Sequence, residues 1–344
     1  HSIMDNSDDI LAAARILEAG RLVAFPTETV YGLGGDAENP SAVAAIYALK
    51  NRPSDHPLIV HVAPGADIGY WSSHIPEEAR KLMDVFWPGP LTLILKRASR
   101  IPPDVAGGQD SIGLRCPSHP VAQALLRVFR HGRGGIAAPS ANRFGHVSPT
   151  TARHVRDEFG EDERLGAILD GGQSEVGIES TILDLSRMES VGPVLLRPGK
   201  VGSQQIADVI GTLPIAPDRN APRASGTLAS HYAPDIPAAL VPTDKLLPTL
   251  VRLENRGCQV ALLHFSSLPA ERKMALKEEI GLFCASEVYA HQLYASLRKL
   301  DKSGADVIVI EATPDTDAWK GVNDRLARAA CHGQDIVERL LELS

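Results

Sequence analysis

The sequence lacks the loops that most nucleotide enzymes carry. No G-x-x-x-x-G-K-[ST] stretch occurs: Gly199-Lys200 is followed by Val201, and the upstream glycine is misplaced. Gly32-Leu33-Gly34-Gly35 fails the G-x-G-x-x-G spacing, and neither H-E-x-x-H nor G-x-S-x-G is present. A P-loop kinase, a conventional dehydrogenase, a zincin and a serine hydrolase are therefore disfavoured. Only four cysteines occur (Cys116, Cys258, Cys284 and Cys331), with no C-x-x-C pair and no histidine cluster at ligand spacing. They read as reduced, mostly buried thiols of a cytoplasmic protein without structural zinc. No apolar run approaches the ~18–20 residues that cross a bilayer. The N-terminus has no secretory pattern, and His1-Ser2-Ile3 ahead of Met4 is read as an added leader outside the fold. Basic residues are scattered among acids at a net charge of −7, which speaks against tight, sequence-independent nucleic-acid binding. A locally basic pocket stays open.

The chain has 344 residues, 44% hydrophobic and 22% charged, enough for two domains and a sizeable core. Ile10, Ala14 and Leu17 share one face of a helix over 9–19, closed by Gly20. Residues 21–25 form a short buried strand ended by Pro26, and a helix over 41–49 follows Pro40. Apolar strands are expected at 58–62, 91–95, 111–115, 135–138, 167–169 and 180–185. This alternation gives an α/β domain over 4–210. The aperiodic, Pro/Ala/Ser-rich stretch 211–237 reads as a linker, and 238–344 as a smaller α/β domain. There, strands are expected at 260–264 and 307–310, with helices over 289–300, 323–331 and 336–343.

Polar segments sit where these elements end. Pro26-Thr27-Glu28-Thr29-Val30-Tyr31-Gly32-Leu33 follows the first strand, at the carboxyl edge where open α/β sheets place ligands. Lys50-Asn51-Arg52-Pro53 ends a helix, and Pro53 biases Arg52 away from helical geometry, so two cations can turn toward one phosphate chain. The same residues could instead complement the helix dipole. His56 and His61 bracket a strand. Arg115 ends an apolar strand and must meet a carboxylate, from the protein or from a substrate. Ser140, Asn142 and Ser148 follow another strand and could cap a helix at Ser148 or donate to phosphate.

Taken in order, Pro26–Leu33, Lys50-x-Arg52 with Pro57-Leu-Ile-Val-His61, Trp87-Pro-Gly-Pro-Leu-Thr92, Ser140-Ala-Asn142, Ser180-Thr181 and Leu196-Arg-Pro-Gly199 resemble the YrdC-like threonylcarbamoyl-AMP synthase family. Ser225 to Pro234 (SGTLASHYAP) and the second domain are similar to its long, two-domain form. The resemblance implies a twisted mixed-sheet domain with an open cleft, a linker acting as a lid, and a smaller Rossmann-like domain. It implies that Thr29, His61, Arg115, the backbone at Ala138, and Ser180 hold L-threonine. It implies that Lys50, Arg52, His56, Ser111, Ser140, Asn142, Ser148, Arg197 and Tyr232 surround ATP, with Lys50 and Arg52 neutralising its phosphates together with Mg²⁺. His56 departs from the family, which more often carries asparagine there. The implied reaction joins threonine, bicarbonate and ATP, and hands its product to a tRNA-modifying threonylcarbamoyl transferase. A carbamoyltransferase and a non-catalytic RNA-binding module are the alternatives. Missing cysteine pairs weigh against the first and the acidic balance against the second.

Overall fold

The computed structural model describes residues 3–4, 7–269 and 275–342. Two compact units divide the chain, His1–Phe144 with Ser148–Thr227, and Gly145–Val147 with Leu228–Ser344. The division falls inside the segment read as linker, so 211–227 goes with the first unit and 228–237 with the second.

In the first unit the strand Leu22–Phe25 is buried at every position, as its unbroken apolar run requires of a sheet covered on both faces. It lies between Leu165–Leu169, parallel to it, and Gly32–Asp36, antiparallel. From Gly32–Asp36 the mixed sheet continues through Gly135–Ala137, Ile59–Val62, Ser111–Arg115, Leu91–Arg97 and Thr181–Asp184 to Val194–Arg197. The short strand Ser72–His74 pairs with Leu91–Arg97 outside this order. Ile3, left outside the fold in the sequence reading, pairs together with Met4 as a two-residue edge strand in register with Ile168 and Leu169.

Side-chain alternation sorts the core into two layers. Val23 and Phe25 face the helices Ser7–Glu18 and Pro120–Val128, meeting Ala13, Leu17, Leu125 and Phe129. Leu22 and Ala24 face the other way, with Val43 and Ile46 of the helix Pro40–Lys50. Burying each such leucine or phenylalanine contributes about 1.5–3 kcal/mol. The strand Gly32–Asp36 escapes hydropathy reading because three of its five residues are glycine. A Cβ on Gly34 would come within 2.8 Å of the Phe25 ring and 2.9 Å of Ile136, so close strand packing needs the bare backbone.

The second unit carries four parallel strands in the order Ala238–Val241, Val307–Glu311, Val260–His264, Glu278–Gly281. Leu246, Leu250 and Leu253 of the helix Thr243–Asn255 pack on this sheet with Leu341 of Gly333–Glu342. The helices expected over 323–331 and 336–343 begin about one turn earlier, as Lys320–Ala329 and Gly333–Glu342, and residue 343 lies outside the described residues. Cysteine burial is corrected too: only Cys116 is buried, while Cys284 and Cys331 are exposed. Among the described residues no helix is long and apolar enough to cross a membrane.

Candidate active site

Pro26 has no N–H to continue the ladder, and the chain turns out of the first strand there. The Thr27 hydroxyl donates to the Val30 carbonyl at 2.6 Å and lies 2.9 Å from the Thr29 hydroxyl, closing a side-chain-held turn. Two other segments bond onto it. Tyr31 N–H donates to Pro149 O and Leu33 N–H to Pro139 O, while Val176 and Gly177 donate to the carbonyls of Glu28 and Thr29. Segments far apart in sequence thus become one hydrogen-bonded layer at the end of the sheet.

Arg115 ends its strand inside this layer, 3% exposed. It donates through Nη1 to Thr29 Oγ1 at 2.9 Å, through Nε to Gly89 O at 3.3 Å, and through Nη2 to Glu28 Oε1. The carboxylate the sequence required therefore comes from the protein. Burial opposes the charge on Arg115, and Glu28 favours it. His61 is the direct register partner of Arg115 on the neighbouring strand. Its Nδ1 lies 3.3 Å from Ile136 O, and burial, aided by Arg115, pushes its pKa down to about 3.

His61 is thus neutral in the folded state, while in the unfolded chain it gains a proton below about pH 6.5. Between those values the unfolded state binds the extra proton, so this group makes stability fall as pH drops from 6.5 toward 3, by at most about 1.4 kcal/mol per pH unit. Denaturation midpoints measured from pH 7 to 4 should show this slope, and His61→Gln should flatten it. An identical slope in the variant would contradict the assignment.

Ala138, expected to present its backbone, donates its N–H to Ile59 O at 3.0 Å. Ser180 Oγ lies 2.7 Å from Thr92 Oγ1 and accepts from Arg197 Nη2 at 3.2 Å, while Arg197 Nε donates to Ser180 O at 2.9 Å. A residue expected at the amino acid and one expected at the nucleotide are therefore bonded to each other.

The helix end behaves differently from the paired turn-out expected of it. Asn51 takes the left-handed conformation as cap, separating the directions of its two basic neighbours. Lys50, 1% exposed, turns inward and donates to the carbonyls of Ser140 at 2.6 Å and Asn142 at 2.5 Å. In this state its ammonium holds the Ser140–Asn142 segment. Burial, then Arg52, lowers its pKa well below the ordinary lysine value. Arg52 donates to Pro57 O at 2.9 Å and Ser225 Oγ at 3.2 Å, and its guanidinium lies 5.6 Å from the Phe144 ring centre. His56 packs edge-on against the same ring, with its pKa lowered by burial and by Arg52.

Ser148 does not cap a helix: Thr151 does, accepting from His154 N–H before Ala152–Phe159. The Ser148 hydroxyl donates instead to Glu179 Oε2. Ser111 opens the strand that Arg115 closes, on the same face but about 13 Å away along it. Tyr232 belongs to the second unit, where it is buried against His231 and Tyr294 with the Arg325 guanidinium 5.6 Å from its ring centre.

Lys50, Arg52, Arg115 and Arg197 are all under one-tenth exposed. Arg52 and Arg197 meet on one residue, since Arg197 Nη1 also reaches Ser225 O at 3.4 Å. Arg52 and Arg197 share Ser225, Arg115 is tied to Glu28 and Thr29, and Lys50 to Ser140 and Asn142, so fixed positive charge gathers beside hydroxyls in the segments that the motifs marked. Glu28, Thr92, Glu179 and Ser225 bond to Arg115, Ser180, Ser148 and Arg52 respectively, and sequence reasoning assigned none of them an individual role. The one available signal was that all four lie in or beside motif segments.

The chain is similar to known proteins along nearly its whole length. Residues 15–199 match a family model described as telomere recombination, and 201–331 match the threonylcarbamoyl-AMP synthase C-terminal domain. A Pyrococcus abyssi threonylcarbamoyl-AMP synthase is 37% identical over 332 residues, covering 93% of this chain and 94% of the relative. A Bacillus subtilis one is 38% identical, covering 94% of each. The crystal structure of P. abyssi Sua5 complexed with L-threonine superposes with a TM-score of 0.87 at 35% identity, over 96% of this chain and 98% of that one. With matching domains in both halves and relatives alike over nearly their whole length, this chain belongs to the threonylcarbamoyl-AMP synthase family in its two-domain form.

Proposed function

We propose that the protein condenses L-threonine, bicarbonate and ATP into threonylcarbamoyl-AMP, releasing pyrophosphate. The observation that carries this reading is the contact between the two expected substrate sets: Arg197 holds Ser180 at two atoms and reaches Ser225 alongside Arg52. An amino acid seated at Thr29, His61, Arg115, Ala138 and Ser180 would lie next to a nucleotide seated at Arg52, Ser140, Asn142, Ser148 and Arg197. The bound threonine of the P. abyssi relative supports the choice of amino acid.

In the reaction the neutral threonine amine attacks the bicarbonate carbon, the C–OH bond breaks, and the hydroxyl leaves as water with a proton from the amine, giving a carbamate. A carbamate oxygen then attacks the α-phosphorus in line, and the bond to pyrophosphate breaks. Neither step needs a protein nucleophile. Catalysis comes from holding the carbamate against the phosphate and from fixed cations facing the developing charge. Arg115 takes the threonine carboxylate, and neutral His61 leaves the site no extra proton to place on the amine. Arg52 and Arg197 face the phosphates, while Lys50 holds the Ser140–Asn142 segment against them.

Mg²⁺ is proposed to enter on the phosphates of ATP and neutralise part of their charge. Glu179 and Ser148, hydrogen-bonded together beside the nucleotide segments, offer the hard oxygen donors suited to its hydration shell. The cytoplasm as location, and transfer of the product to a tRNA-modifying threonylcarbamoyl transferase, belong to the same proposal.

The decisive experiment mixes the protein with all three substrates and looks for threonylcarbamoyl-AMP by mass spectrometry. Arg52→Ala should lower threonine-dependent pyrophosphate release by about 10²–10³-fold, the usual cost of losing one charge-stabilising donor. Undiminished release would refute the assignment of Arg52.

A further inference from the structure

Arg115 is held by more than its hydroxyl neighbour. Its guanidinium has five N–H groups. Three are spent, on Gly89 O, Thr29 Oγ1 and Glu28 Oε1, leaving one on each Nη nitrogen for a ligand. The other oxygen of Glu28 accepts the Ser118 N–H at 3.0 Å, just ahead of the helix Pro120–Val128. Glu28 is 5% exposed and bonded at both oxygens, a strut between the segment leading into that helix and Arg115. A guanidinium whose plane is set beforehand meets a carboxylate through two parallel bonds at a lower ordering cost than one that is free to turn. Without Glu28 the guanidinium keeps only two neutral acceptors among the described residues, Gly89 O on Nε at 3.3 Å and Thr29 Oγ1 on Nη1, and nothing holds Nη2.

We propose that Glu28 is a positioning residue that fixes the guanidinium plane of Arg115 to receive the amino-acid carboxylate, and thereby sets affinity for threonine and not for ATP. This rests on the function proposed above and adds to it the residue that tunes its amino-acid subsite. Glu28 also balances charge. Arg115 and Arg197 sense each other electrostatically, and Glu28 offsets one of these two positive charges.

The test is a set of three variants compared with the wild-type protein by pyrophosphate release. Glu28→Gln keeps the size but loses the charge, and it turns an amide toward Ser118 N–H. It should raise KM for threonine at least tenfold, with KM for ATP within twofold and kcat at saturating threonine within about threefold of wild type. Glu28→Asp keeps the charge with a shorter reach and should raise threonine KM by a smaller factor; it also serves if the glutamine variant does not fold. In an Arg115→Ala background, Glu28→Gln should change threonine KM no further, because the strut then has nothing to hold. Equal rises in both KM values, a loss confined to kcat, or an undiminished effect of Glu28→Gln in the Arg115→Ala background would overturn the proposal. If wild-type protein shows no threonine-dependent release, the function itself is wrong. If it does and Glu28→Gln leaves threonine KM unchanged, only the role of Glu28 falls.

Discussion

Arg115→Ala is expected to cut threonine-dependent pyrophosphate release at subsaturating threonine by about 30- to 3,000-fold. Truncating one partner of a buried, hydrogen-bonded charge pair costs roughly 2–5 kcal/mol in binding, and each ~1.4 kcal/mol is tenfold. The loss should appear in threonine KM and not in ATP KM, because the contacts of Arg115 go to Thr29, Gly89 and Glu28. Stability should fall as well, since Glu28 would be left buried without its cation, a change that costs about 3–5 kcal/mol. Melting curves must therefore accompany the kinetics. Arg115→Lys separates the two effects: it keeps a charge for Glu28 but has no fork for a carboxylate. A lysine variant with wild-type threonine KM would show that Arg115 does not bind the substrate.

Lys50→Met should be nearly as damaging for a different reason. The methionine fills the same space, but the carbonyls of Ser140 and Asn142 lose the ammonium that now binds both. Each buried acceptor left without a partner costs about 1–3 kcal/mol. The segment carrying Ser140 and Asn142 loses its anchor, so ATP KM should rise at least about tenfold while threonine binding measured without nucleotide stays near wild type. A variant with normal ATP KM and a normal melting temperature would mean that the inward-turned lysine holds nothing of consequence.

These two residues show what a chain of letters reveals and what it hides. Arg115 was legible because a charge ending an apolar run has to be compensated. The identity of its partner was not, because Glu28 lies 87 residues away and only the sheet brings them together. Lys50 was legible as a cation at a helix end, yet its direction depends on the left-handed Asn51, which no periodicity encodes. The strands Leu22–Phe25, Leu91–Arg97 and Val260–His264 follow from their apolar runs. Gly32–Asp36 does not, since its place comes from backbone fit against Phe25 and Ile136. The amphipathic helix Glu77–Phe86 went unassigned although Ala79 and Leu82 form its buried side, because half of its residues are charged. The motif order marked segments that the fold does bring together at one end of the sheet, and the pairing among their side chains needed three dimensions.

In the proposed nucleotide seat, Ser225 is an occupant supplied by the protein itself. Its hydroxyl accepts from Arg52 and donates to Pro57 O, while its carbonyl reaches Arg197. A phosphate that takes up both guanidiniums therefore exchanges one set of oxygens for another and does not fill a vacuum. Affinity is then set by the difference between a charged and a neutral acceptor, a smaller quantity than the bonds themselves suggest. Such an exchange keeps the grip on a triphosphate moderate, which suits an enzyme that must let pyrophosphate go on every turnover.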